Sequence, residues 1–244
     1  MTSIEFTYAG FGDHAVDYAE AWDQQRRLHA ARAADQIGDV VVMLEHQPVY
    51  TAGKRTQPED RPVDDTPVIE VDRGGKITWH GPGQLVGYPI VKLPADVYVV
   101  DYVRRLEEAL IRVCAGFGLS AGRVTGRSGV WLAADEGRQE RKVAALGVRV
   151  SRGVAMHGFA LNCDCATTGF DAIVPCGIAD AGVTTLSAEL GRDVVVAEVL
   201  PSVERQLSEL LSWSAYERSP DLARVALPAS NERASVSSGL HTLH

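Results

Sequence analysis

The chain has no run of eighteen apolar residues among its 244, and its N-terminal segment lacks the basic and apolar regions of a signal peptide. The expectation is a cytoplasmic protein without a membrane span. Cysteine is scarce: Cys114, Cys163, Cys165 and Cys176. None forms the paired CxxC spacing of a structural zinc site, and a cytosolic setting disfavours disulfides. Cys163 and Cys165, with His157 upstream, are therefore not expected on a metal, and the thiols are expected in the core. Cys114, between Ile111, Val113 and Phe117, is expected to pack. No GxxxxGK[ST] phosphate loop and no internal repeat occur. A formal charge of −8 argues against nucleic acid as the main partner. Against that background, seven cations crowd between Arg123 and Arg152 (Arg123, Arg127, Arg138, Arg141, Lys142, Arg149, Arg152), opposed by Asp135, Glu136 and Glu140. Such a patch suits an acidic protein partner.

What is present is ordinary globular composition, 45% hydrophobic and 23% charged, with elements that punctuate clearly. Alanine-rich 15–36 reads as a helix with Asp13 as its cap. Val40 to Leu44 reads as a buried central strand. Val68 to Val71, Ile77 to His80 and Leu85 to Val91 read as short strands. Val97 to Phe117 has helical apolar spacing and stops near Gly118. Lys142 to Val150 and Val154 to Cys163 form a hairpin about Ser151-Arg152-Gly153. Thr184 to Leu190 and Ala197 to Trp213 read as helices, the first ended by Gly191. Helices before and after a run of strands predict an α+β domain with one mixed β-sheet, residues 1–215. Residues 216–244 are expected to be a flexible C-terminal tail.

Two places carry chemistry. In Arg73-Gly74-Gly75-Lys76-Ile77-Thr78-Trp79-His80-Gly81-Pro82-Gly83-Gln84-Leu85, the double glycine reads as a turn whose N–H groups face outward, and His80 ends a strand. The second is Pro175-Cys176-Gly177, a thiol on a loop with room around it. A nucleophilic thiol needs a cation or base to make it a thiolate. Lys142, entering an apolar strand, and His157, on the returning strand, both qualify, and the residues alone do not choose between them.

The strings RGGKITWHGPGQL, GRSGVW, RKVAALGVR, HGFALN, IVPCGI and VTTLSAEL, in this order and spacing over about residues 40–210, resemble the lipoyl(octanoyl) transferase family. The resemblance implies a biotin/lipoate protein ligase-like fold, a mixed sheet flanked by helices. It implies that Cys176 forms an acyl-thioester and that Lys142 activates it. It further implies an acyl pocket built from Arg73, Gly74, Gly75, Lys76, Ile77, Thr78, Trp79, His80, Ala145, Leu146, Gly147, Gly158, Phe159 and Ala160. The implied donor is octanoyl-acyl carrier protein. The implied acceptors are lipoyl domains of 2-oxoacid dehydrogenases and the glycine-cleavage carrier protein. Neither metal nor cofactor is implied, and a monomer suffices. The rival expectations are an ATP-dependent lipoate–protein ligase on the same fold, a non-catalytic acyl- or carrier-binding module, and a cysteine hydrolase using Cys176 with His157.

Overall fold

A computed structural model describes residues 4–62, 66–135, 137–173 and 181–222. Strand β1 (Glu5–Gly10) precedes helix α1 (Tyr18–Ala33) and the wholly buried strand β2 (Val40–Leu44). Asp17, not Asp13, caps α1: its Oδ1 accepts from the Ala19 and Glu20 amides at 2.8 and 3.2 Å. Asp13 lies instead in a preceding 3-10 turn. Strands β3 (Val49–Ala52), β4 (Val68–Glu70) and β5 (Thr78–His80) follow, then β6 (Gln84–Ile90) and α2 (Val99–Gly116). The chain continues as β7 (Gly122–Val124), β8 (Arg127–Leu132), β9 (Arg141–Ser151) and β10 (Val154–Asn162). It ends in β11 (Gly182–Val183), α3 (Leu186–Leu190) and α4 (Val196–Leu210).

Among the described residues the expected single sheet is two. An eight-stranded sheet runs β1-β2-β6-β10-β9-β8-β7, with β11 paired to β9, and a separate three-stranded sheet runs β4-β3-β5. The break falls at Gly81-Pro82-Gly83, where the chain passes from β5 in the small sheet to β6 in the large one. Gly83, at φ +82°, turns the chain tightly against residue 165. Proline cannot extend the ladder of β5, and glycine supplies the backbone freedom to change sheets.

Helices α2 and α4 cover one face of the large sheet. Leu106, Leu110 and Val113 of α2 and Val199, Val203 and Leu207 of α4 are buried there with Met43, Leu85 and Leu161. Gly118, at φ +84°, follows the α2 C-cap as expected of a helix stop. The other face receives α1, which buries Tyr18, Ala21, Gln25 and His29 at helical spacing. Gln25 Oε1 accepts from the His157 amide at 2.9 Å. His29 Nε2 lies 3.1 and 3.2 Å from the Ser151 and Val154 carbonyls. Polar contacts thus pin α1 to the β9–β10 hairpin.

Cys114, Cys163 and Cys165 are buried thiols. Burial pushes Cys114 and Cys165 up to about 12, so they remain protonated. Seven residues of the expected tail, 216–222, pack back on the fold. The Leu222 amide donates to the Arg123 carbonyl at 2.7 Å, and the Arg105 guanidinium lies over the Tyr216 ring. Among the described residues no helix is long and apolar enough to cross a membrane.

Candidate active site

A cavity of about 240 Å³ opens between the α1 face of the large sheet and the small sheet. Strand alternation shapes its β5 wall. On β5, Thr78 and His80 face the cavity, whereas Trp79 turns away and packs edge-on against Phe170. Ile77 shares that apolar cluster with Trp79. On β9 and β10 the register pairs Gly147 with Gly158, Leu146 with Phe159 and Ala145 with Ala160. All six line the cavity. A Cβ on Gly147 would stand 2.9 Å from the Arg73 side chain, so glycine at this position leaves room for that arginine.

Of the two glycine amides expected to face outward in the Arg73–Lys76 loop, that of Gly74 does not. The Gly74 amide donates to the Val148 carbonyl at 3.0 Å, tying the loop to β9. Arg73 reaches inward: its guanidinium donates to the carbonyls of Lys76 and Thr51 and to Thr51 Oγ1, each at 2.8 Å. Arg73 is therefore the clamp that joins the loop to β3, and it borders the cavity as well. Lys76 pairs with buried Asp60 at 3.0 Å.

His80 is buried and neutral. Desolvation holds it down to about 3, and the nearby His46 opposes its charge too. A chain of amides fixes its tautomer. Asn162 Nδ2 donates to the Thr184 carbonyl and Gln84 Nε2 to Asn162 Oδ1, each at 2.9 Å. Gln84 therefore turns Oε1 to His80 Nδ1 at 2.7 Å, so that nitrogen carries the proton. Nε2 is left as an acceptor, 3.5 Å from Thr51 Oγ1. Tyr18 stacks on the His80 ring, and His46 meets it at a tilt with Tyr88 behind. Burial also holds His46 down to about 4, and its Nε2 accepts from the Tyr88 hydroxyl at 2.7 Å.

The two candidate helpers lie apart. His157 pairs in register with Val148, six residues along β9 from Lys142, a separation of roughly 20 Å at about 3.3 Å per residue. His157 Nε2 meets Asp72 Oδ1 at 2.7 Å, and that bond holds the Asp72 carboxyl below the usual range. Burial lowers His157 in turn. His157 has φ +58°, so the strand is locally distorted where it meets α1 and the cavity.

Lys142 lies at the other end. It is 6% exposed, and its Nζ stands 4.5 Å from the centroid of the Trp131 ring, its direct cross-strand neighbour. Among the described residues it has no carboxylate partner. Val183 pairs with Lys142, and the Thr184 amide donates to the Lys142 carbonyl at 3.0 Å. The connection containing Cys176 thus ends beside Lys142. Cys176 itself lies outside the described residues.

Of the fourteen expected pocket residues, Gly74, Ile77 and Trp79 do not line the cavity: the first is bonded to β9 and the other two face the small-sheet core. Tyr18, Arg55, Tyr88, Gly126, Arg127 and Ser128 line it without having been expected. Gly126 to Ser128 lie at or beside the GRSGVW string; Tyr88 shares the strand parity of Gln84. Tyr18 had no local signal beyond its helix. The expected basic patch is largely neutralised. Arg123 is 1% exposed against Glu107 and Glu108; Arg141 pairs with Glu189 at 2.6 Å; Arg138 pairs with Asp135 at 2.8 Å; Arg149 pairs with Asp72; Arg127 pairs with Glu140 at 3.3 Å. Alternation and folding dispersed the cations that sequence had lined up.

Residues 17–208 match the family model of the lipoyl protein ligase A/B catalytic domain. An octanoyltransferase of Salinispora tropica is 67% identical over 196 residues, covering 80% of this chain and 92% of its own. An octanoyltransferase of Thermobifida fusca is 60% identical over 223 residues, covering 89% and 94%. Among solved structures, a putative lipoate protein ligase from T. acidophilum superposes with a TM-score of 0.61 at 13% identity, covering 86% of each chain. That last likeness concerns the fold, an α+β architecture of mixed sheet and flanking helices.

Proposed function

The chain belongs to the lipoyl protein ligase A/B catalytic domain family, and we propose that within it this protein is an octanoyltransferase, moving an octanoyl group from an acyl donor to a lysine of a lipoyl domain in lipoate cofactor biosynthesis. The observation that carries the reading is a buried lysine, Lys142, at one end of a cavity with an apolar lining of Ala145, Leu146, Phe159 and Ala160. The donor is the phosphopantetheine thioester of an acyl carrier protein. The acceptors are lipoyl domains of 2-oxoacid dehydrogenases and the glycine-cleavage carrier protein.

Cys176 is the nucleophile in this scheme. Its sulfur attacks the thioester carbonyl, the C–S bond to pantetheine breaks, and Lys142 passes the thiol proton to the departing pantetheine sulfur. The enzyme then holds the octanoyl group on Cys176. The acceptor amine attacks that carbonyl, the Cys176 C–S bond breaks, and one amine proton returns to the sulfur by way of Lys142. A thioester becomes an amide, so the exchange runs downhill without a nucleotide. Lys142 is favoured over His157 because the Cys176 connection ends on the strand pair of Lys142, roughly 20 Å from His157. Burying the tail of an eight-carbon chain contributes about 5 kcal/mol at about 0.8 per methylene, enough to select for length. Neutral His80 offers Nε2 only as an acceptor, so its part is to hold Thr51 and the Arg73 clamp rather than to move protons. The catalytic unit is one domain, residues 1–215 together with the 216–222 segment that packs back on them, working as a monomer in the cytoplasm, where Cys176 stays reduced.

The test is intact-mass spectrometry after mixing the protein with octanoyl-acyl carrier protein in the absence of nucleotide. One octanoyl increment is expected, lost in C176A. An adduct or product that appears only with ATP and octanoate would make the protein a ligase, and binding without turnover would make it a carrier-binding module.

A further inference from the structure

Trp131 sits where the reaction scheme has no use for it. It is 1% exposed, yet it lies in none of the apolar clusters that form the core, although its neighbours Val130 and Leu132 do. Its indole Nε1 is buried with no hydrogen-bond partner among the described residues. A buried tryptophan ordinarily finds an acceptor for that N–H, and leaving it unmet costs stability that a phenylalanine or leucine would avoid. The indole is therefore a poor choice for filling space alone. What it supplies is a face: the Lys142 ammonium stands 4.5 Å from the ring centroid, and the Arg127 guanidinium 5.7 Å from the same ring.

The neighbourhood is built around that contact. Trp131 and Lys142 are direct cross-strand partners, and the β8–β9 register slips between Val130 and Trp131, which sets the pair opposite each other. Gly129, at φ +122°, leaves the space that the lysine stem occupies. A Cβ there would stand 3.1 Å from Lys142 Cε, 3.3 Å from Trp131 Nε1 and 2.7 Å from the Ala144 carbonyl oxygen. The Gly129 amide is held in turn by wholly buried Glu107, whose Oε1 accepts from it at 3.0 Å. Aromatic faces attract ammonium groups most strongly when both are withdrawn from water.

We propose that Trp131 is the positioning residue for Lys142: its ring face, with the notch at Gly129, holds the ammonium at the end of the acyl cavity in place of a carboxylate. A carboxylate there would also compete for the Cys176 proton, whereas a ring cannot take one. The role rests on the acyl-transfer reading of Lys142.

The chain has four lysines, Lys54, Lys76, Lys92 and Lys142, so the contact can be read directly. With ε-carbon-labelled lysine, the wild-type Lys142 ε-methylene protons, assigned by their loss in K142M, are expected upfield of the other three through the ring current. W131L returns them to the range of the others. In steady-state octanoyl transfer, W131L lowers kcat about tenfold, equivalent to about 1.4 kcal/mol, with KM for donor and acceptor within about twofold. W131F, which keeps a ring and guards against simple misfolding, restores kcat to within about threefold of wild type. The proposal is overturned by an unshifted Lys142 signal in the wild type, by equal losses in W131L and W131F, or by a W131L enzyme as fast as wild type while K142M is dead. Transfer that survives in K142M removes Lys142 from the mechanism and this role of Trp131 with it.

Discussion

Two buried cations stand on strands of one sheet, separated by β8, and are treated in opposite ways. Arg123 on β7 faces Glu107 Oε2 at 3.2 Å and Glu108 Oε2 at 2.6 Å, and its two terminal nitrogens also donate to the Ser219 and Arg104 carbonyls, each at 3.1 Å. Lys142 on β9 has a ring face and, among the described residues, no carboxylate. The first arrangement neutralises a charge with two carboxylates and joins α2, β7 and the 216–222 segment. The second leaves an ammonium able to answer to a ligand. Burial alone therefore does not mark a functional cation; the chemistry of what surrounds it does.

The sharpest way to break this contrast is to remove both charges without removing their stems. K142M is expected to lower octanoyl transfer by about 10³-fold or more, as loss of a proton-transfer group does, with an unfolding free energy near that of wild type. R123M is expected to do the reverse. It removes the buried cation that Glu107 and Glu108 share and leaves them only Arg104 and Arg112 near the surface, so unfolding free energy falls by about 3–5 kcal/mol while kcat per folded molecule is unchanged. Urea titration beside a transfer assay checks both. A stable R123M or a strongly destabilised K142M would dissolve the distinction.

Acid separates the two regions by window. His46 and His80, beside the cavity, are held down to about 4 and about 3, so the fold keeps them neutral while the unfolded chain takes up protons below about pH 6.5. Depressed histidines stabilise nothing as pH falls: each costs about 2 kcal/mol at pH 5 by linkage. Glu108 is different. Its burial opposes ionisation, but hydrogen bonds from Arg123, Ser219 and Arg112 outweigh it and leave its carboxyl lowered. The stability it supplies is present above the ordinary carboxylate range and lost only on falling through it. Urea midpoints measured from pH 7.5 to 3.5 are expected to decline in two stages. H46Q flattens the upper stage; E108Q flattens the lower one and leaves the upper intact.

The smallest effect sharpens the contrast at the strand that anchors the Cys176 connection. Thr185 caps α3 directly after β11, its hydroxyl accepting from the Ala188 amide at 3.0 Å. T185A is expected to cost about 1 kcal/mol in thermal unfolding. Octanoyl transfer, measured alongside, falls only a few-fold if α3 steadies the Lys142 end; the Arg123 cluster is untouched.

Much of the fold was legible because periodicity reports directly on one element. The β9–β10 hairpin, α2 with its glycine stop, and β2 all follow from local pattern. The split into two sheets was not legible, since nothing local distinguishes a strand that continues a sheet from one that leaves it. Asp13 and Asp17 are equally good caps by type, and only the folded backbone chooses. Within the candidate site, strand parity already separates Ile77 and Trp79, which point into the small-sheet core, from Lys76, Thr78 and His80, which line the cavity. Trp131 and Gly129 lay inside a recognised string yet had no assigned chemistry, because their meaning depends on a cross-strand partner eleven or more residues away.

The β11 attachment has one more implication. The fastening beside Lys142 is made by main-chain atoms: the Gly182 amide to the Glu140 carbonyl at 2.8 Å and the Thr184 amide to the Lys142 carbonyl at 3.0 Å. Such knots are blind to side-chain identity. A change of side chain at Glu140 or Thr184 therefore leaves β11 tied down at the same berth by the same two bonds.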